Sequence, residues 1–353
     1  MVTGIICEFN PFHDGHKYLI NTVKAGGNSV ICCMSGNFVQ RGEFAVYDKF
    51  LRTKAALKGG ADLVIELPSC CSTLSAEGFA KSGVNLLSST GIVDEIAFGA
   101  ENDSISELKK ISEMLNDEKI KAEITNEMKK GIPYHTARKN VLKTDLLDSP
   151  NNILACEYLR FASVPCKAIR RIGKGHDTDD SLYSASEIRK SLDKNKISTM
   201  ENCESAVLYK LRQMNEDDFA KIADVNEGLE NRIYGAVRNA CSLNELYSLI
   251  KTKRYAMSRI RRIILRAYLG IEGSSAEPPY IRILGFNEAG RELLSKMKKT
   301  ADLPIITKYS DCKDPNIKEY FEQECFYTDL YNLGYKNPLP CGTDQRSKII
   351  MIG

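Results

Sequence analysis

Net charge is nearly absent from this 353-residue sequence: 49 Lys and Arg against 46 Asp and Glu leave +3. That excludes a protein that coats polyanions with its whole surface, so any nucleic-acid contact must be a local patch. Apolar runs long enough to span a bilayer are missing, and the first residues carry no basic segment of the kind that opens a signal peptide. A cytoplasmic protein without a membrane partner is expected. The twelve cysteines include no C-x-x-C. Cys32-Cys33 and Cys70-Cys71 are adjacent pairs, and Cys312, Cys325 and Cys341 fit no zinc spacing. Free thiols and no protein-bound zinc are therefore expected. There is no Walker loop, no H-E-x-x-H and no Ser-His-Asp order.

What is present is concentrated near the start. The chain has four histidines, and two of them sit in one turn. Ile5-Ile6-Cys7-Glu8-Phe9-Asn10-Pro11-Phe12-His13-Asp14-Gly15-His16 reads as a short apolar strand, a tight turn and the start of a helix. Ligands bind at such strand ends in open α/β sheets. The free N–H groups and positive dipole end of the helix favour an anion at the same spot. A helix starting near Asp14 puts His16, Leu19, Ile20 and Val23 on one face. His16 then lies beside the core at the mouth of the turn, and His13 reaches the same cavity.

Further apolar runs at 30–34, 62–68, 95–102 and 166–172 alternate with helical patterns at 47–58, 76–87 and from Pro150. With 43% hydrophobic residues, this spacing predicts an α/β fold with a doubly wound parallel sheet and right-handed crossovers. Tyr47, Phe50, Leu51 and Ala55 are the expected apolar side of the second helix. Polar groups gather at the strand ends. The loop 35–42 carries Arg41, suited to phosphate or RNA. Gly99 would let a flat ring lie against the backbone. Asn152 either caps its helix or faces the ligand. Alternation turns one of Arg170 and Arg171 to the site. Ser184 and Glu187 have capping-box spacing, and Arg189 lies one turn into that helix. The charged helices at 104–130 are expected to be a solvated cover, and His135 is given no role.

After Lys196 the pattern becomes helical. Domains are expected at 1–196, the catalytic unit, at 197–273, helical and basic, and at 280–353, a small α/β C-terminal region. In the helical part, Ile260, Ile263, Ile264 and Ala267 form an apolar stripe, with Arg259, Arg262 and Arg266 on the opposite face. Lys251, Lys253, Arg254 and Tyr255 come just before. Clustered like charges with a tyrosine suggest a polyanion partner and a stacking surface. Histidines and arginines around a triphosphate suit in-line attack on phosphorus. His13 and His16 would donate hydrogen bonds as charge builds at the α-phosphorus. Arg171 and Arg189 would hold the β- and γ-phosphates, with Mg²⁺ bridging phosphate oxygens.

His13-Asp14-Gly15-His16 resembles the HxGH motif of the nucleotidyltransferase superfamily, which attacks ATP at its α-phosphate. From Gly4 to about Gly285 the chain resembles the tRNA(Met) cytidine acetate ligase family, also through Met34-Ser35-Gly36-Asn37-Phe38-Val39-Gln40-Arg41-Gly42 and Asp62-Leu63-Val64-Ile65-Glu66-Leu67-Pro68. The resemblance implies a HIGH-type, Rossmann-like ATP domain. It also implies that acetate is activated as acetyl-adenylate and passed to the wobble cytidine of elongator tRNA(Met). N(4)-acetylcytidine forms, and AMP and pyrophosphate leave. It places ATP on Cys7-Glu8-Phe9-Asn10-Pro11-Phe12-His13-Asp14-Gly15-His16-Lys17-Tyr18-Leu19-Ile20, and on Gly99, Asn152, Arg171 and Ile172. The superfamily's serine-rich segment corresponds to Tyr183-Ser184-Ala185-Ser186-Glu187-Ile188-Arg189, bringing in Ser186 and Arg189. Arg41, Lys251, Lys253, Arg254, Arg259 and Arg262 are the expected tRNA contacts. The alternatives are an adenylyltransferase acting on a small phosphorylated cofactor precursor, and a nucleotide-sensing RNA-binding protein.

Overall fold

The computed structural model describes residues 1–171, 185–226, 228–275 and 277–353. Its strands are β1 (Val2–Cys7), β2 (Ser29–Ser35), β3 (Phe38–Val39), β4 (Glu43–Phe44), β5 (Leu63–Leu67), β6 (Glu95–Ala100), β7 (Cys166–Arg170), β8 (Ile281–Phe286), β9 (Ile305–Ile306) and β10 (Ile350–Met351). β5, β2, β1, β6 and β7 lie side by side in that order, all parallel. The chain adds β2 and β5 to one side of β1, then returns to add β6 on the other. That reversal opens a crevice at the carboxyl ends of β1 and β6, where such sheets hold ligands. The expected parallel sheet also has an extension: β8 pairs antiparallel with β5, and β9 and β10 pair parallel with β8. The strands of the 280–353 region thus belong to the same sheet.

Neighbouring residues on a strand face opposite ways, and both faces of this sheet are covered. Cys32 packs with Ile5, Ile20, Val23 and Leu57, beneath the helices Asp14–Lys24 and Lys49–Lys58. Cys33 packs with Ile6, Phe79, Val84 and Leu87, on the face covered by the helices Ala76–Ser88 and Pro150–Phe161. Each fully buried aliphatic side chain of this kind stabilises the fold by about 1.5–3 kcal/mol.

The helix Lys49–Lys58 turns a different face inward from the one expected. Leu51 is 49% exposed, whereas Lys49, Arg52, Thr53, Ala56 and Leu57 are buried. Two buried cations decide the orientation. Lys49 Nζ lies 2.7 Å from Glu66 Oε1 and 2.5 Å from Asp344 Oδ2. Arg52 donates to the carbonyls of Glu8 (2.6 Å), Ser35 (3.1 Å), Tyr47 (2.9 Å) and Gly36. It therefore ties together the loops that leave β1 and β2. Buried cations of this kind persist only when partnered.

The helices Glu204–Arg212, Leu229–Asn239, Leu243–Ile250 and Met257–Leu269 share a second core containing Leu211, Ile233, Leu246 and Ile263. Phe38 and Phe44 of the β3–β4 hairpin belong to that core, as does Tyr331 of the helix Pro315–Asn332. At the hairpin turn, Gly42 has φ +76°, and a Cβ there would meet the backbone of Arg261 and Arg262 at 2.3–2.8 Å. Only glycine lets the hairpin lie this close to the helix Met257–Leu269.

Candidate active site

The turn after β1 is pinned at almost every residue. Phe9 has a left-handed backbone, φ 47°, a strained conformation for a bulky residue of the sort that collects at functional sites. Its ring is buried, edge-on to Phe12 at 5.0 Å and tilted against His16 at 4.9 Å. Asn10 Oδ1 accepts from the Val46 N–H at 2.8 Å. His13 is the N-cap of the helix Asp14–Lys24. Its Nδ1 accepts from the Gly15 N–H at 3.1 Å, and the His16 Nδ1 accepts from the His13 N–H at 3.3 Å. The two imidazoles stack at 3.8 Å.

These bonds fix the chemistry of the pair. A ring nitrogen that accepts carries no proton, so each neutral ring holds its proton on Nε2. Burial lowers the pKa of both rings, with Arg171 adding to it; His16 falls well below the ordinary value and also feels His13. Both are therefore neutral at pH 7, each offering one N–H. Two such donors beside a helix N-terminus suit oxygens that gain negative charge.

Gly99 is the next-to-last residue of β6 across the crevice, and a Cβ there would crowd Arg171 Cγ at 3.3 Å. The Arg171 N–H donates to the Ala100 carbonyl at 3.0 Å, and its guanidinium lies 3.8 Å from Glu101. Both Arg170 and Arg171 border the cleft, in place of the one that alternation selects. The reason is that β7 ends at Arg170, so alternation no longer governs Arg171. Asn152 does not cap its own helix, whose N-cap is Ser149; its Oδ1 accepts from the Glu101 and Asn102 N–H groups at 3.0 and 3.1 Å, shaping the turn after Gly99. Arg189 Nη1 donates to the Asn10 carbonyl at 2.6 Å, which ties its helix to the histidine turn. Ile172 and Ser184 lie outside the described residues, as does the side chain of Ser186.

The histidine turn opens onto a cleft of about 980 Å³, which Gly99, Arg171 and Arg189 also border. Its other wall holds Arg41, Lys251, Lys253, Arg254, Arg259 and Arg262. These do not form the free basic face that was expected. Arg259 donates twice to the Asp224 carbonyl, at 2.9 and 2.6 Å, and Arg262 is paired with the Asp224 carboxylate at 2.9 Å. Arg266 is 1% exposed and donates to the Cys70 and Gly273 carbonyls and to Thr73. Tyr255 is 6% exposed, with the guanidinium groups of Arg254 and Arg259 over its ring at 5.9 and 5.2 Å, so it presents no stacking surface. The helix Met257–Leu269 is covered on both sides, and its arginines serve packing first. Arg41, Lys251 and Lys253 are exposed.

A family model described as HIGH Nucleotidyl Transferase matches residues 1–206 and 193–346. The tRNA(Met) cytidine acetate ligase of Acetivibrio thermocellus is 37% identical over 96% of both chains. That of a Thermoanaerobacter species is 39% identical over 97% of this chain and 98% of its own. The chain belongs to the tRNA(Met) cytidine acetate ligase family. The crystal structure of Thermotoga maritima TmcAL bound with alpha-thio ATP superposes with a TM-score of 0.89 at 30% identity, covering 99% of each chain.

Two supports of the site in this ligase-family fold show themselves only in its hydrogen bonds. Glu8 accepts from the Gln40 N–H at 2.6 Å, and Gln40 donates to the Leu74 carbonyl at 3.3 Å. Burial pushes the Glu8 carboxyl up, while that hydrogen bond and the charges of Arg41, Arg52 and Arg189 pull it back. Arg52, described above, is the second. It directly follows Phe50-Leu51, two residues of the apolar side expected for this helix, so no local pattern marks it as buried.

Proposed function

We propose that this chain activates acetate with ATP and transfers the acetyl group to the wobble cytidine of elongator tRNA(Met). One observation carries the reading: the neutral histidine pair at the sheet's switch point and a wall of lysines and arginines share one cleft. The triphosphate lies along the histidine turn. An acetate oxygen bonds to the α-phosphorus as the bond to the β-phosphate oxygen breaks, and pyrophosphate leaves with the electron pair. His13 and His16 donate through Nε2 to the oxygens that gain charge in that step. Arg171 and Arg189 hold the departing phosphates. The exocyclic amine of cytidine then attacks the acetyl carbonyl, the bond to AMP breaks, and the amine loses a proton.

Arg41, Lys251, Lys253 and Arg254 hold the RNA backbone, with the 197–273 helical unit as their platform. Imidazole and guanidinium groups are poor ligands for a hard cation. Mg²⁺ accordingly enters on the phosphate oxygens of ATP, and no side chain here is assigned to it. The test is acetate-dependent exchange of pyrophosphate into ATP, followed by nucleoside analysis of tRNA incubated with enzyme, ATP and acetate. Acetate dependence with N(4)-acetylcytidine is the expected result. Exchange that ignores acetate would return the protein to the adenylyltransferases.

A further inference from the structure

We propose that Arg138 binds the carboxylate of the acid substrate. Arg138 stands on the helix Tyr134–Leu142 and borders the cleft. Its side chain is 4% exposed, and its Nε has no hydrogen-bond partner among the described residues. Glu157, whose charge it feels, is held instead by Arg160 at 2.5 Å. The guanidinium lies over the Tyr134 ring, 5.4 Å from its centroid. Arginine does not shed its proton in a protein. A buried guanidinium N–H with no acceptor is costly, so the free Nε donor suits an anion that arrives through the cleft.

Three anionic groups take part in the proposed reaction. The triphosphate has the histidine turn, Arg171 and Arg189. The RNA backbone has Arg41 and the residues from Lys251 to Arg254. The acid substrate is left, and of the cations that border the cleft Arg138 is the buried one with an unpartnered donor among the described residues. A planar guanidinium fork matches a planar carboxylate. Met128, Pro133, Tyr134, Ile153 and Leu154 give the cleft apolar lining here, beside the Glu157 carboxylate that Arg160 holds. The ligand class that fits is a short unsubstituted monocarboxylate. A phosphodiester, strongly hydrated and carrying sugars on both sides, fits this surround poorly. Bound there, the carboxylate is held out of water before one of its oxygens attacks phosphorus.

This assignment rests on the proposed acetate activation and deepens it. The experiment is acetate-dependent pyrophosphate exchange by the full chain carrying Arg138→Gln or Arg138→Lys. The KM for acetate should rise about tenfold or more in Arg138→Gln, the loss of a charge-assisted bond, and less in Arg138→Lys. The KM for ATP should stay within about twofold. An unchanged KM for acetate overturns the assignment, and so does a rise confined to ATP or tRNA, which would mark a phosphate ligand. If the unmodified enzyme already ignores acetate, the proposed function itself has failed, a result the variants do not mimic. A second measurement needs no variant: acetate should protect Arg138 from phenylglyoxal, read by peptide mass spectrometry. Equal labelling with and without acetate also overturns it.

Discussion

The two walls of the cleft hold their functional groups in opposite ways. At the sheet's carboxyl ends, the histidines are fixed through short rings, backbone N–H donors and stacking on Phe9. On the helical wall the cations sit on long side chains, and several are already engaged by Asp224 and by backbone carbonyls. The first wall is built for placement within a fraction of an ångström, which attack on phosphorus demands. The second supplies charge over a broad area, which suits a flexible polyanion. A dense run of arginines in a sequence therefore overstates the charge that a ligand meets.

The sharpest way to test that contrast is to remove one group from the first wall. His16→Ala should lower acetate-dependent pyrophosphate exchange by about 10²–10³-fold, as loss of a preorganised donor does. Thermal unfolding should stay near that of the unmodified chain. Exchange that survives the change would show that placement by this turn is not what matters. Next in size is Arg266→Met. It strands the Cys70 and Gly273 carbonyls, at a cost of about 1–3 kcal/mol in denaturant unfolding. At permissive temperature, tRNA affinity should be unchanged. A selective loss of tRNA binding would make Arg266 a ligand-facing charge after all. Smaller again is the double change Lys253→Glu with Arg254→Glu. It should weaken tRNA binding about tenfold and flatten its salt dependence. Pyrophosphate exchange should hold, and a parallel fall would merge the two walls into one function.

How much of this was legible beforehand follows the same division. The β1 turn and its strand neighbours could be read because apolar runs, glycine and histidine spacing each point to one local geometry. Gly99 and Arg171 fell where strand ends predict. The helix Lys49–Lys58 was misjudged because its burial is set by distant partners: Glu66 and Asp344 hold Lys49, and four backbone carbonyls hold Arg52. No local pattern encodes such partners. The basic face of the helix Met257–Leu269 misled for the same reason. Whether an arginine is a ligand contact or packing depends on what lies 200 residues away, as Arg266 with Cys70 shows. Arg138 carried no motif, and only its burial without an acceptor makes it visible.

The smallest effect expected concerns pH, and it separates the walls most cleanly. Both histidines are held below the ordinary imidazole pKa by burial and by Arg171. The unfolded chain, with histidines near about 6.5, then binds more protons than the folded one at mildly acid pH. Stability therefore rises with pH up to about 6.5 and is level above it; it falls as pH drops from there toward the lowered folded values. Catalysis follows the same sign. A proton on Nδ1 would displace the bonds that Gly15 and His13 donate, so activity needs neutral rings. Pyrophosphate exchange should be flat from pH 8 to about 6.5 and decline only below that, to the acid side of an ordinary histidine. The RNA contacts proposed on the other wall are lysines and arginines, with no histidine among them, so tRNA affinity should stay level as exchange falls. If exchange instead declines on the alkaline side of an ordinary histidine, the active pair is charged, and the donor geometry assigned to His13 and His16 is wrong.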